Sequence, residues 1–181
     1  KQFDVKKIIK IKIKNFSQLG SDRISNAIGS HRKNSLIVDF GTATTFDIIK
    51  DRTYEGGVIA PGINLSIITL NKNTALLPII NLKNKQYSYG KNTKDALYAG
   101  FLWGYEGLVN NIINKIIINS KTNYKVILTG GYSKVFKKYI KKKSVIDQNI
   151  TIKGLAKVYK KFLLWFMIKD ELIFCPLGGS G

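Results

Sequence analysis

The chain has 181 residues, 44% of them hydrophobic, only three prolines, and a formal net charge of +19. That length buries one substantial core rather than two, and the apolar content excludes a disordered chain. No window approaches the roughly 20 uncharged apolar residues of a membrane span, so no membrane partner is expected. A charge this large would suit nucleic acid, anionic lipid or an anionic substrate. A chain-wide bias toward Lys, Asn and Ile explains it better. The only arginines are Arg23, Arg32 and Arg52, and the lysines are scattered apart from a run at Lys137, Lys138, Lys141, Lys142 and Lys143. Such a run reads as a solvated face, and no specific nucleic-acid partner is expected. The single cysteine, Cys175, forbids an internal disulfide and points to a reducing cytoplasm. The opening Lys1-Gln2-Phe3-Asp4 has no apolar leader core and no initiator Met, and it reads as sequence from within a longer protein.

Residues 5–14 alternate lysine with isoleucine in part, which predicts a half-exposed strand. Ser21 to Ser30 reads as a short helix with Ile24, Ala27 and Ile28 on one face, and His31 follows in a polar loop without a role. Leu36-Ile37-Val38 is a buried-strand run ending in Asp39-Phe40-Gly41-Thr42-Ala43-Thr44-Thr45, with Gly41 to Thr44 expected as a hairpin turn and Phe46 to Lys50 as the returning strand. Tyr54 to Ile59 makes a third strand, stopped by Pro61-Gly62, and Asn64 is placed to cap a helix reaching Asn73. Thr93 to about Asn119 is the clearest helix, with Leu97, Phe101, Tyr105, Leu108, Ile112 and Ile116 at three- and four-residue spacing. Lys125 to Thr129 is the next strand. Tyr132 to Tyr139 then reads as a helix, Ser144 to Ile146 as a strand and Ile152 to Phe162 as the last helix. Adjacent strands followed by alternating helix and strand predict a layered α/β domain.

Four segments offer chemistry. In Asp39-Phe40-Gly41-Thr42-Ala43-Thr44, a strand ends in an acid, then a glycine and threonines. Such a turn can wrap phosphate oxygens with N–H groups and hydroxyls, while the acid holds a cation that neutralises phosphate charge. In Gly20-Ser21-Asp22-Arg23, the acid could take a proton from a substrate hydroxyl while the arginine binds a substrate carboxylate; the bland alternative is a helix cap. Gly90-Lys91-Asn92-Thr93 opens the long helix, where Thr93 could bind a polar ligand or merely cap the helix. Gly130-Gly131 lies between a strand and a helix, a common place to cradle a nucleotide.

In this order the motifs resemble the type III pantothenate kinases. The matching pieces are Gly20-Ser21-Asp22-Arg23-Ile24, Val38 to Asp47, Gly56 to Gly62, Gly90 to Thr93, Gly100 to Tyr105 and Leu128 to Gly131. The resemblance implies an actin-like ATPase fold of two ribonuclease-H-like halves. Residues 1–34 would then be a remnant of the first half, 35–162 the second, and 163–181 an atypical tail. It implies ATP-dependent phosphorylation of pantothenate in the first step of coenzyme A synthesis, with potassium or ammonium as activator and magnesium with the nucleotide. Asp22 would be the general base, and Gly20, Ser21, Asp22, Arg23 and Thr93 would bind pantothenate. Asp39 would hold the monovalent cation, with Thr42, Gly41, Thr44, Gly130 and Gly131 at ATP. The family is dimeric, with its pocket near the dimer interface.

Two departures qualify that expectation. The family's opening Asp-x-Gly-Asn-Thr loop, the other half of the phosphate clamp, has no counterpart here. Phosphoryl transfer rests on positioning and charge neutralisation, so the chain alone is expected to be weakly active or inactive. From Met167 the chain resembles the start of a ribonuclease J family protein, with Pro176 to Gly181 as its Pro-Leu-Gly-Gly-x-Gly turn. A plain C-terminal strand with a glycine-rich tail is the alternative. The rival functions are another small-molecule kinase of the actin-like superfamily and a basic nucleic-acid-binding accessory factor.

Overall fold

A computed structural model describes residues 12–13, 19–30, 32–82 and 88–171, so His31, Cys175 and the glycine-rich end lie outside it. The sheet is built around β2 (Ser35–Phe40), whose Leu36, Ile37 and Val38 are all fully buried because helices cover both of its faces. β3 (Ala43–Lys50) runs back antiparallel to β2, and β4 (Thr53–Pro61) returns antiparallel to β3. β1 (Lys12–Ile13), the described part of the expected first strand, joins the outer edge of β4 in parallel. Beyond β2 lie β5 (Lys125–Gly130) and β6 (Ser144–Ile146), both parallel, completing the order β1-β4-β3-β2-β5-β6.

Alternation along the strands sorts the core into two layers. Leu36, Val38, Phe40, Phe46, Val126 and Leu128 pack under α2 (Ile63–Lys72), α3 (Thr93–Ser120) and the short α4 (Ser133–Phe136). Ile37, Ile49 and Ile127 face the other way, against Ala27 of α1 (Ser21–Gly29) and Ile150 of α5 (Ile150–Glu171). α1 and α5 cross so closely that a Cβ on Gly154 would lie 1.9 Å from the carbonyl oxygen of Ser25. Lys157 of α5 donates to the carbonyls of Ile28 (2.6 Å) and Gly29 (3.1 Å), closing the negative end of α1, and burial lowers its pKa to about 8.

Several local expectations are corrected. The β2–β3 turn is only Gly41-Thr42, because Ala43 and Thr44 already pair in β3. Gly62 precedes α2 as its N-cap, whereas Asn64 sits inside the helix and accepts from the Tyr132 hydroxyl. The 132–139 helix shrinks to α4. The long helix buries Tyr98, Leu102, Tyr105, Val109, Ile113 and Ile116, so its inward stripe is rotated from the predicted one. Leu97, Phe101, Leu108 and Ile112 flank it half-buried. α5 continues through Leu163 to Glu171 instead of stopping at Phe162.

One irregularity re-aims a side chain. The β3–β4 register slips between Ile48 and Ile49: Ile48 pairs with Gly56 and Ile49 with Tyr54, leaving Glu55 as an extra residue. Gly56 adopts a φ of 137° there, a conformation side-chain-bearing residues rarely take. Val58 and Ala60 point to the α3 layer, and strict alternation would send Tyr54 with them. The bulge turns Tyr54 over to the α1 layer.

Candidate functional site

Asp39 ends the inward face of β2 beneath α1, and α1 is positioned so that two of its polar residues, Arg23 and Asn26, bond to the sheet. Asn26, fully buried one helical turn after Asp22, donates from Nδ2 to Asp39 Oδ2 at 2.9 Å. Its own amide oxygen accepts from Thr151 Oγ1 of α5 at 2.6 Å, which fixes the orientation of the amide. Asp39 Oδ1 lies beside two glycines. A Cβ at Gly130 would come within 2.5 Å of it, and Gly130 also holds a φ of 82°. Burial raises the Asp39 pKa above the ordinary 3.8; the bond from Asn26 opposes this and the negative charge of Asp22 adds to it.

Asp22 is exposed in the first turn of α1, where its Oδ1 accepts from the Arg23 N–H at 2.8 Å. Arg23 turns inward: its Nε donates to Asp47 Oδ1 at 2.7 Å, and that oxygen also accepts from the Tyr54 hydroxyl at 2.7 Å. Asp47 is fully buried, and burial raises its pKa despite Tyr54 and Arg23. The structure thus brings Asp22, Arg23, Asp39 and Gly130 to one end of the sheet.

The remaining predicted residues are placed differently. Gly41, Thr42 and Gly131 are exposed at the same end. The N–H of Gly41 donates to Ala43 O and that of Gly131 to Phe40 O, both at 3.1 Å, so those two N–H groups already have partners within the chain. Thr44 is fully buried on the α3 side, its hydroxyl without a partner among the described residues. Gly20 is the N-cap of α1, directly before exposed Ser21. Thr93 is exposed at the first position of α3, and the capping is done by Asn92, whose Oδ1 accepts from the Asp95 N–H at 2.9 Å. Among the described residues no hydrogen bond or ion pair joins Thr93 to the Asp22–Asp39 group. Sequence reasoning assigned no role to Asn26, Asp47, Tyr54 or Thr151. The four-residue spacing from Asp22 marks Asn26, while the bulge hides Tyr54 from any pattern.

Toward a cation the site offers the Asp39 carboxylate, whose Oδ2 already accepts from Asn26 and whose Oδ1 lies beside Gly130; among the described residues no group of three or more His, Cys, Asp or Glu is placed to hold a metal ion. Among the described residues no helix is long and apolar enough to cross a membrane.

Comparison with known proteins extends this description. Residues 1–115 match the family described as type III pantothenate kinase. A type III pantothenate kinase of Pelagibacter ubique is 50% identical over 159 residues, covering 87% of this chain and 64% of the relative. One from Koribacter versatilis is 39% identical over 154 residues, covering 81% of this chain and 55% of the relative. The chain therefore spans just over half to just under two thirds of the length of these curated relatives. Among solved structures, a conserved Campylobacter jejuni protein assigned to the Baf family of transcriptional activators aligns with a TM-score of 0.63. The identity is 24%, covering 89% of this chain and 73% of that one. The Alp12 filament structure aligns with a TM-score of 0.56 at 16% identity, covering 80% and 53%. The chain shares the actin-like ATPase fold.

Proposed function

The chain belongs to the type III pantothenate kinase family, and on that premise we propose that it carries the pantothenate and cation sites of an ATP-dependent pantothenate kinase. The product is 4′-phosphopantothenate, in the first step of coenzyme A synthesis. The supporting observation is that α1 sets Asp22 and Arg23 over Asp39 at one end of the sheet, so that a base, a guanidinium and a second carboxylate share one site. The exposed Asp22 carboxylate takes the proton of the pantothenate hydroxyl as that oxygen attacks the γ-phosphorus of ATP. The bond from γ-phosphorus to the bridging oxygen breaks, and ADP leaves with its electron pair. Arg23 pairs with the pantothenate carboxylate, while Gly20, Ser21 and Thr93 complete the substrate contacts.

Thr42 contacts ATP phosphate from the turn, where Gly41, Gly130 and Gly131 keep the backbone low. Thr44 supports that turn from within β3. Asp39 holds potassium or ammonium, which when bound offsets phosphate charge; magnesium accompanies the nucleotide. The protein works as a cytoplasmic dimer. Residues 1–34 belong to a first half-domain and 35–162 to a second, with α5 running unbroken past that boundary into the tail.

The test is pantothenate-dependent ADP release. It uses the chain alone and the chain fused to the part of the Pelagibacter ubique relative that it does not match. Asp22→Asn is expected to lower turnover of the fusion by about 10²–10⁴-fold. A fusion that binds ATP yet never phosphorylates pantothenate would overturn the reading.

A further inference from the structure

We propose that Asp47 and Tyr54 are positioning residues that hold the Arg23 guanidinium in the attitude in which it receives the substrate carboxylate; this rests on the kinase reading above. Four features converge on that one side chain. Asp47 Oδ1 accepts from Arg23 Nε at 2.7 Å. The same oxygen accepts from Tyr54 Oη at 2.7 Å, which fixes the carboxylate in turn. Gly57 is the register partner of Asp47, and a Cβ there would lie 2.4 Å from Arg23 Nη2, so the guanidinium occupies the space a side chain would fill. The guanidinium carbon also sits 5.9 Å from the centre of the Tyr54 ring. The bulge at Glu55-Gly56 is what delivers Tyr54 to this face. With Nε held inward by Asp47 and Nη2 over Gly57, 14% of the Arg23 side chain stays exposed, and that is the part a substrate carboxylate can reach.

A purely stabilising ion pair is the competing explanation. Buried pairs contribute little net stability compared with apolar packing. Asp47 Oδ2 is buried without a partner among the described residues, whereas an arrangement built for stability would satisfy both oxygens. The two explanations also differ in what they predict. Loss of stability affects every ligand alike, but a misplaced guanidinium affects only ligands that carry the carboxylate.

The experiment titrates pantothenate, and its alcohol analogue in which CH2OH replaces the carboxylate, into the wild-type chain, Tyr54→Phe and Asp47→Asn by calorimetry. Circular dichroism checks that each is folded. Wild type is expected to favour pantothenate by roughly 10-fold or more, the worth of a charge-assisted pair. Tyr54→Phe should shrink that preference by about 2–10-fold and Asp47→Asn by more, with affinity for the alcohol unchanged. Variants that keep the full preference, or that lose affinity for both ligands equally, overturn this proposal alone. A folded wild-type chain that binds neither ligand overturns the kinase reading, and this proposal with it.

Discussion

Replacing Gly154 with alanine probes how α1 is held, because two opposing effects of known size meet at that residue. In a helix interior Gly→Ala ordinarily stabilises by roughly 0.5–1 kcal/mol, since glycine loses more backbone freedom on folding. Here the new Cβ would lie 1.9 Å from Ser25 O and 3.0 Å from Ser25 Cα, against the 3.4 Å at which ordinary contact begins. The helices must therefore separate by up to 3.4 − 1.9 = 1.5 Å. The obstacle is backbone, so no rotamer change relieves it, and the upper part of the roughly 1–3 kcal/mol range for overpacking applies. The net effect is a destabilisation of about 1–2 kcal/mol. Gly107→Ala on α3 meets nothing within 4 Å and is the control, expected to stabilise by up to about 1 kcal/mol. Urea unfolding followed by circular dichroism measures both. In the fused enzyme Gly154→Ala should also cost up to about 10²-fold in turnover, because Asp22 and Arg23 ride on the displaced helix. If Gly154→Ala proves as stabilising as Gly107→Ala, the close crossing of α1 and α5 is refuted.

The other predictions concern charge and turn geometry. Asp39 and Asp47 both titrate above 3.8 when folded, so the native state binds more protons than the unfolded chain above that pH. Their contribution is full below pH 3.8 and is lost as pH rises through the folded pKa. Asp39→Asn, which has no proton to lose, should therefore gain stability relative to wild type between pH 4 and pH 7; a urea-derived difference that stays constant would contradict the burial argument. At the β3–β4 turn, Asp51 and Arg52 both have positive φ, 49° and 60°, the pattern of a type I′ turn. Arg52→Gly should raise stability by about 1 kcal/mol, seen as a melting temperature roughly 2–4 °C higher. An unchanged melting temperature would mean that the turn carries no such strain.

The sequence made the sheet and the acid-bearing turn legible because both are local. Leu36 to Val38 is apolar on both faces, and Asp39 follows at once. α3 was legible in extent but not in rotation: Leu97 and Tyr98, or Leu108 and Val109, are equally apolar neighbours, and only the packed sheet chooses between them. The end of α5 is not legible, because Phe162 to Phe166 is apolar without a clear helical stripe, although it remains helical. Composition groups Thr44 with Thr42, yet pairing with Phe40 and Ala60 places it in the strand with its side chain buried. The supports of the site come from distant elements. Thr151 lies 125 positions from the Asn26 it bonds, and no local pattern signals that distance.

That separation also sets an order of events. The bonds from Thr151 to Asn26 and from Lys157 to the end of α1 join residues 125 to 129 positions apart. Closing loops of that length is entropically costly and slow compared with forming the β2–β3–β4 meander, whose pairings are between near neighbours. During synthesis α1 waits, tethered but unheld, until the last long helix has emerged and docked. The site thus reports on completion of the whole described chain, and a ligand of Asp22 or Arg23 would favour the finished fold over every partly folded intermediate.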